Sequence, residues 1–142
     1  ECETIEALPP LWDALAEFYP QLEAAGIVPE LLFDRNEMKV CASAEALGRI
    51  YRNLIANALR HSGGNLTVSG QDREICFSNV LLPGPRPDAE HLFDRFYQGS
   101  PSRANGGAGL GLSIVRELME RMGGQVSAQI VGSTLEIRLS FP

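Results

Sequence analysis

The C-terminal stretch VSAQIVGSTLEIRLSF, residues 126–141, places the tightest limit on what this chain can become. Val126, Ala128 and Ile130, then Leu135, Ile137, Leu139 and Phe141, alternate with polar residues on either side of Gly132-Ser133. That pattern reads as a β-hairpin with one apolar face, which must be covered by something else in the chain. The cover has to come from helices, because the strongest remaining periodicity is helical. From Ser43, an N-cap residue, with Glu45 suited to the positive end of the helix dipole, a helix is expected to run to about His61 and to end at Ser62-Gly63-Gly64. A second is expected from about Gly109 to Met122, with Leu112, Val115, Met119 and Met122 on one face and Gly123 as its C-terminal cap. Helices on one face of a sheet make a two-layer α/β (α+β) sandwich.

The remaining segments fit that plan. Leu11, Leu15, Phe18 and Leu22 recur at helical spacing after Pro9-Pro10, with Pro20 expected to kink or end the helix. Residues 27–33 and 39–41 read as strands, as do 66–69 and 75–78 around a turn at Gly70-Gln71-Asp72. A proline-rich loop over 82–88 then leads to a short helix ending near Phe96. Residues 98–108 are rich in glycine, serine and asparagine and lack periodicity, which predicts a mobile loop.

With 142 residues, 44% of them hydrophobic, the chain suits one domain spanning residues 1–142. No apolar run approaches the length of a membrane span, and the acidic Glu1, Glu3 and Glu6 do not suit a signal peptide. The net charge of −6 argues against nucleic acid as a partner. Cys2, Cys41 and Cys76 are widely spaced and read as reduced thiols rather than a metal site.

Four glycines, Gly106, Gly107, Gly109 and Gly111, stand at the entry to the last helix. Bare backbone there would let phosphates reach the unpaired N–H groups of a helix N-terminus, although a simple flexible linker would use the same residues. The frame differs from the dinucleotide fingerprint, and a P-loop is excluded because the only lysine is Lys39. A second signal lies on the 43–61 helix, where Arg49, Asn53, Asn57, Arg60 and His61 share about one third of the circumference. Leu47, Tyr51, Leu54, Ile55 and Ala58 fall opposite. Asparagine is a middling helix former, so two of them one turn apart either meet solvent or serve as oxygen ligands; a neutral amide can ligate Mg²⁺.

Taken together, Asn53-Leu-Ile-Ala-Asn57-Ala-Leu-Arg60-His61, Leu92-Phe-Asp-Arg-Phe96-Tyr and Gly107-Ala-Gly-Leu-Gly111-Leu resemble the N, F and G2 boxes of the ATP-binding domain of bacterial sensor histidine kinases. They stand in the family's order and spacing over about residues 43–142. The resemblance implies the Bergerat fold shared with gyrase and the heat-shock chaperone ATPases: a mixed sheet backed by helices, with ATP held under a lid. Carried over by position, Asn57 matches the magnesium ligand and Asn53 a polar neighbour of the phosphates. Arg60 matches a phosphate-contacting residue, and His61 stands where an aromatic residue flanks adenine. Residues 98–108 match the lid, with Arg103 closing on phosphate, and Gly107, Gly109, Leu110 and Gly111 would line the phosphates. The G1 box departs: Asn79 replaces the adenine-reading aspartate, and Leu81 and Pro83 replace two glycines.

The resemblance therefore implies ATP and Mg²⁺ as ligands and transfer of the γ-phosphoryl group to a histidine on a separate dimerisation domain, with a response regulator downstream. It also implies a homodimer in the full-length protein, a monomer for this piece alone, and a cytoplasmic domain of a membrane-anchored protein. A hydrolysing ATPase is a poorer fit, since Asn53 stands where such relatives carry a glutamate that activates water. A degenerate nucleotide-binding or partner-docking module without kinase activity is the alternative that the altered G1 box favours.

Overall fold

The computed structural model describes residues 3–95 and 111–142. The chain forms strand β1 (Glu3–Glu6), helices α1 (Leu8–Glu17) and α2 (Tyr19–Ala24), strands β2 (Glu30–Phe33) and β3 (Lys39–Ala42), helix α3 (Ala44–His61), strands β4 (Thr67–Gln71) and β5 (Glu74–Val80), helix α4 (Gly111–Arg121), and strands β6 (Gln125–Val131) and β7 (Thr134–Ser140). The main sheet has the order β2-β4-β5-β7-β6; β2 runs parallel to β4, and every other neighbouring pair is antiparallel. The mixed sheet backed by helices is the expected α+β two-layer sandwich.

Register explains why one sheet face is the core. Phe77 lies between Val68 and Ile137, which in turn lies opposite Ala128. The next row places Ile75 beside Leu139 and Val126. Most of these side chains are buried, and α3 covers them with Leu47, Ile50, Tyr51, Leu54 and Ile55. The row nearest the ends of β5 and β6 reads Ile130, Leu135, Asn79: an amide, 4% exposed, occupies a place where the pattern calls for an apolar side chain.

Tyr51 fastens the N-terminal part to this core. Its ring stacks on Phe77 with centroids 6.2 Å apart, and its hydroxyl donates to the Ala7 carbonyl at 2.9 Å. Burial holds that hydroxyl protonated, its pKa pushed far above the usual tyrosine value. The helix ends follow the sequence. Ser43 Oγ accepts from Ala46 N at 3.2 Å as the N-cap of α3. Gly123, at φ +85, closes α4 through Gly123 N to Glu120 O and Gly124 N to Met119 O, a conformation that glycine alone adopts without strain.

Pro20 interrupts the helical run as expected: α1 ends at Glu17, and Pro20 lies in the first turn of α2, where a proline ring fits. Four expectations need correction. Strand β1 pairs antiparallel with β3 and was not expected, because an acidic four-residue run carries too little apolar alternation to announce itself. The β4–β5 turn falls at Asp72-Arg73, beyond Gly70, with Asp72 at φ 57. In place of a short helix near residue 96 there is a 3₁₀ turn at Ala89–His91 followed by turns to Arg95, with Leu92 and Phe93 buried as anchors. Cys41 is disulfide-bonded rather than a reduced thiol, while Cys76 is free.

Candidate nucleotide site

The polar face of α3 is set by the helix period. With Leu54, Ile55 and Ala58 turned into the core, Asn53 and Asn57 share the other face, one turn apart. Asn57 is 8% exposed and makes no hydrogen bond among the described residues. Its amide atoms are not sealed from solvent, and alanine would suit the helix better, so an amide kept at the edge of the core points to a ligand. Asn53 lies against Gly111: a Cβ built on that glycine would stand 3.4 Å from Asn53 Oδ1. The described start of α4 is thereby brought beside Asn53.

Arg60 is exposed in the last turn of α3, and His61 is half-buried beside it. Arg49 is exposed one turn before Asn53. Asn79 sits at the end of β5, on the helix-facing side, and donates from Nδ2 to the Val80 carbonyl at 3.2 Å. The F-box segment is held by charge as well as by Leu92 and Phe93. Asp94 accepts His91 Nδ1 at 2.8 Å and lies 3.8 Å from Arg116 on α4. The structure thus brings Asn53 and Gly111 together, with Asn57 one turn along α3 and Arg60, His61 and Asn79 near the C-terminal end of that helix. The lid at 98–108, Arg103, Gly107, Gly109 and Leu110 lie outside the described residues.

A feature the sequence reading missed ties α3 to β5. Ser62 and Leu81 form a β-bridge, Gly63 N donates to Val80 O at 2.6 Å, and Leu82 N donates to His61 O at 3.1 Å. Asn65 Oδ1 accepts Val80 N at 2.7 Å. Ser62 Oγ in turn accepts from Gly64 N and Asn65 N. The signal was present as Ser-Gly-Gly-Asn between helix and strand, residues that bind nearby backbone, but its partner strand could not be read from spacing.

The two histidines should titrate on opposite sides of the ordinary value of 6.5. Burial, then the neighbouring Arg60 charge, lowers His61. The Asp94 hydrogen bond, then the Asp88 and Asp94 charges, raises exposed His91. Stability linked to His61 is lost as pH falls from 6.5 towards its lower folded value; the contribution of His91 is present below 6.5 and lost as pH rises through its higher one. Histidine ring resonances followed by NMR against pH check this, and a His61 midpoint above that of His91 would contradict it.

Among the described residues the donor set on this face, amide and guanidinium groups, suits a magnesium nucleotide. Residues 42–142 match the family described as histidine kinase-, DNA gyrase B- and HSP90-like ATPase. Sensor protein VanS of Enterococcus faecium is 31% identical over 134 residues, covering 89% of this chain and 34% of that protein. Sensor histidine kinase WalK of Bacillus subtilis is 33% identical over 110 residues, covering 68% of this chain and 18% of its own length. The chain thus spans about a third or less of these relatives. Among solved structures, the mycobacterial sensor histidine kinase MprB has a TM-score of 0.81 at 21% identity, covering 99% of this chain and 97% of that one. The catalytic domain of histidine kinase ThkA gives 0.79 at 20%, covering 100% and 95%. No helix among the described residues is long and apolar enough to cross a membrane. Asparagines one turn apart on α3, one of them beside the start of α4, on a sheet of this topology have the explanation that the sequence match supplies: the chain belongs to the histidine kinase-, DNA gyrase B- and HSP90-like ATPase family.

Proposed function

We propose that this chain is the ATP-binding catalytic domain of a two-component sensor histidine kinase, delivering the γ-phosphoryl group of ATP to a histidine on a separate dimerisation domain. The observation that carries the reading is Asn57, nearly buried and without a hydrogen-bond partner among the described residues, one turn from Asn53, which meets Gly111 at the start of α4. Asn57 is the residue to hold Mg²⁺, which when bound neutralises charge on the phosphate oxygens. Asn53 donates from its amide to those oxygens, the α4 N-terminus accepts their negative charge, and Arg60 adds a cation. Residues 98–108 serve as the lid, with Arg103 on the phosphates and Gly107, Gly109 and Leu110 completing the phosphate cradle. His61 and Asn79 hold the purine.

In the transfer, an imidazole nitrogen of the acceptor attacks Pγ; the P–N bond forms, the bond to the bridging oxygen breaks, and ADP leaves with its electron pair. Positioning and charge stabilisation suffice for such a step. The hydrolytic reading lacks a base, because the amide of Asn53 cannot take a proton from water. Neither His61 nor His91 suits the acceptor role: one is half-buried at the end of α3 and the other is held by Asp94. The full-length protein is accordingly proposed to be a membrane-anchored homodimer with this domain in the cytoplasm and a response regulator downstream, a reading supported by relatives named as sensors.

The test mixes this chain with γ-labelled ATP, alone and with the dimerisation domain of the same protein. Acid-labile, alkali-stable phosphate is expected on the histidine of the added domain and none on this chain. Label on His61 or His91, or none anywhere although ATP binds, would contradict the reading.

A further inference from the structure

Strand β2 forms one edge of the main sheet and, among the described residues, pairs with β4 alone. Glu30 N donates to Leu66 O at 2.9 Å, so the alternation of the strand turns the backbone N–H and C=O of Leu31 and Phe33 away from β4. Proteins usually blunt such an edge with lysine, proline or a bulge. Strand β2 carries none of these: Leu31 is 42% exposed beside Val68 on the helix side of the sheet, and Leu32 is 52% exposed beside Ser69 on the other. The strand is nonetheless held firmly. The Phe33 ring lies across Gly70, where a Cβ would stand 2.3 Å from it, and meets Trp12 of α1 edge-on with centroids 5.8 Å apart. Glu30 begins the strand and Asp34 follows it, both on the side of Leu32 by the same alternation; Leu32 and Asp34 border one hollow there, with Ser69 and Cys76. Neither carboxylate meets a cation among the described residues, Glu30 accepting only from Thr67 Oγ1 at 3.4 Å. Arg35 is followed by Glu37, so the segment stays acidic.

We propose that the β2 edge is a docking site for an extended segment of a partner protein, a strand that reads cation, three apolar residues, cation. The backbone groups of Leu31 and Phe33 supply the hydrogen bonds that add a strand to a sheet, and apolar side chains opposite Leu31, Leu32 and Phe33 cover what the edge exposes. Glu30 and Asp34, four residues and about 13 Å apart along the strand, then each face a cation. A second copy of this chain is the wrong occupant. Antiparallel self-pairing that uses both Leu31 and Phe33 centres on Leu32 and sets Glu30 against Asp34 twice, a like-charge clash that opposes the pairing. The charge pattern thus selects a basic partner strand over self-association. The proposal does not depend on the nucleotide reading of the other site.

The experiment titrates the isotope-labelled chain with the peptide acetyl-Lys-Val-Leu-Val-Lys-amide, whose palindromic order pairs with β2 in either direction, and separately with acetyl-Glu-Val-Leu-Val-Glu-amide. NMR follows every backbone amide. With the lysine peptide the Leu31 and Phe33 amides are expected to shift and to exchange their hydrogens more slowly, and the glutamate peptide should bind about tenfold more weakly, the worth of two exposed pairs turned from attraction to repulsion. The double variant Glu30→Lys, Asp34→Lys should reverse that order. Equal binding of the two peptides to the wild type, shifts confined to another surface, or no binding of the lysine peptide at millimolar concentration would each overturn the proposal. So would protection of the same two amides without peptide that grows with protein concentration, because a second copy would then occupy the edge. Should the double variant fail to fold, the two peptides on the wild type decide.

Discussion

Replacing Asn57 with alanine is expected to weaken Mg-ATP binding by at least tenfold, about 1.4 kcal/mol, and to abolish the gain in affinity that Mg²⁺ gives the wild type. Asn57 is 8% exposed and its amide makes no hydrogen bond among the described residues, yet neither amide atom is sealed from solvent, so the oxygen stays open to an ion or nucleotide. Alanine removes that ligand, and it is the better helix former by up to about 0.7 kcal/mol. The variant should therefore melt no lower than the wild type while failing to respond to magnesium. Calorimetric titration with ATP, with and without Mg²⁺, measures the first effect and thermal melting the second. An unchanged magnesium response would mean that another residue holds the ion.

The largest effect on stability is expected at Tyr51, on the opposite face of the same helix. Tyr51→Ala removes a fully buried ring that stacks on Phe77 and leaves a cavity between α3 and the sheet. Aromatic-to-alanine changes in cores cost about 3–5 kcal/mol, a large part of a stability of about 5–15 kcal/mol for a domain of this kind. Tyr51→Phe isolates the hydroxyl. It fills the same space but leaves the buried Ala7 carbonyl without its donor, which should cost about 1–3 kcal/mol. Urea denaturation of both variants separates packing from hydrogen bonding. Equal losses in the two would show that the ring contributes nothing beyond its hydroxyl.

The layers of this fold were legible because their signals are local. Alternation along residues 126–141 announced the β6–β7 hairpin, and the helical period from Ser43 to His61 announced α3, its N-cap included. The same period placed Asn53 and Asn57 on one face, and the motif order led from that face to the family. Whatever depends on a partner distant in sequence was harder to read. Strand β1 has meaning only beside β3, and the turn at 62–65 only beside the end of β5. Sequence alone allowed Asn79 to accept from adenine and donate to it at once. The bond from Nδ2 to Val80 O engages one of the two amide hydrogens. The segment ending near Phe96 carried helical residues, but Leu92 and Phe93 are drawn into the core and Asp94 is turned to His91, so its described part makes only short turns. There, tertiary anchoring prevails over local propensity.

One titration bears most directly on the claim that the space between α3 and the start of α4 is an ATP site. The wild-type chain is titrated with ATP in the presence and absence of Mg²⁺, and the heat of binding is recorded. Saturable binding with one nucleotide per chain, tightened by the metal, is the predicted result. No binding at millimolar ATP under either condition would contradict it and leave the degenerate module as the better description of this chain.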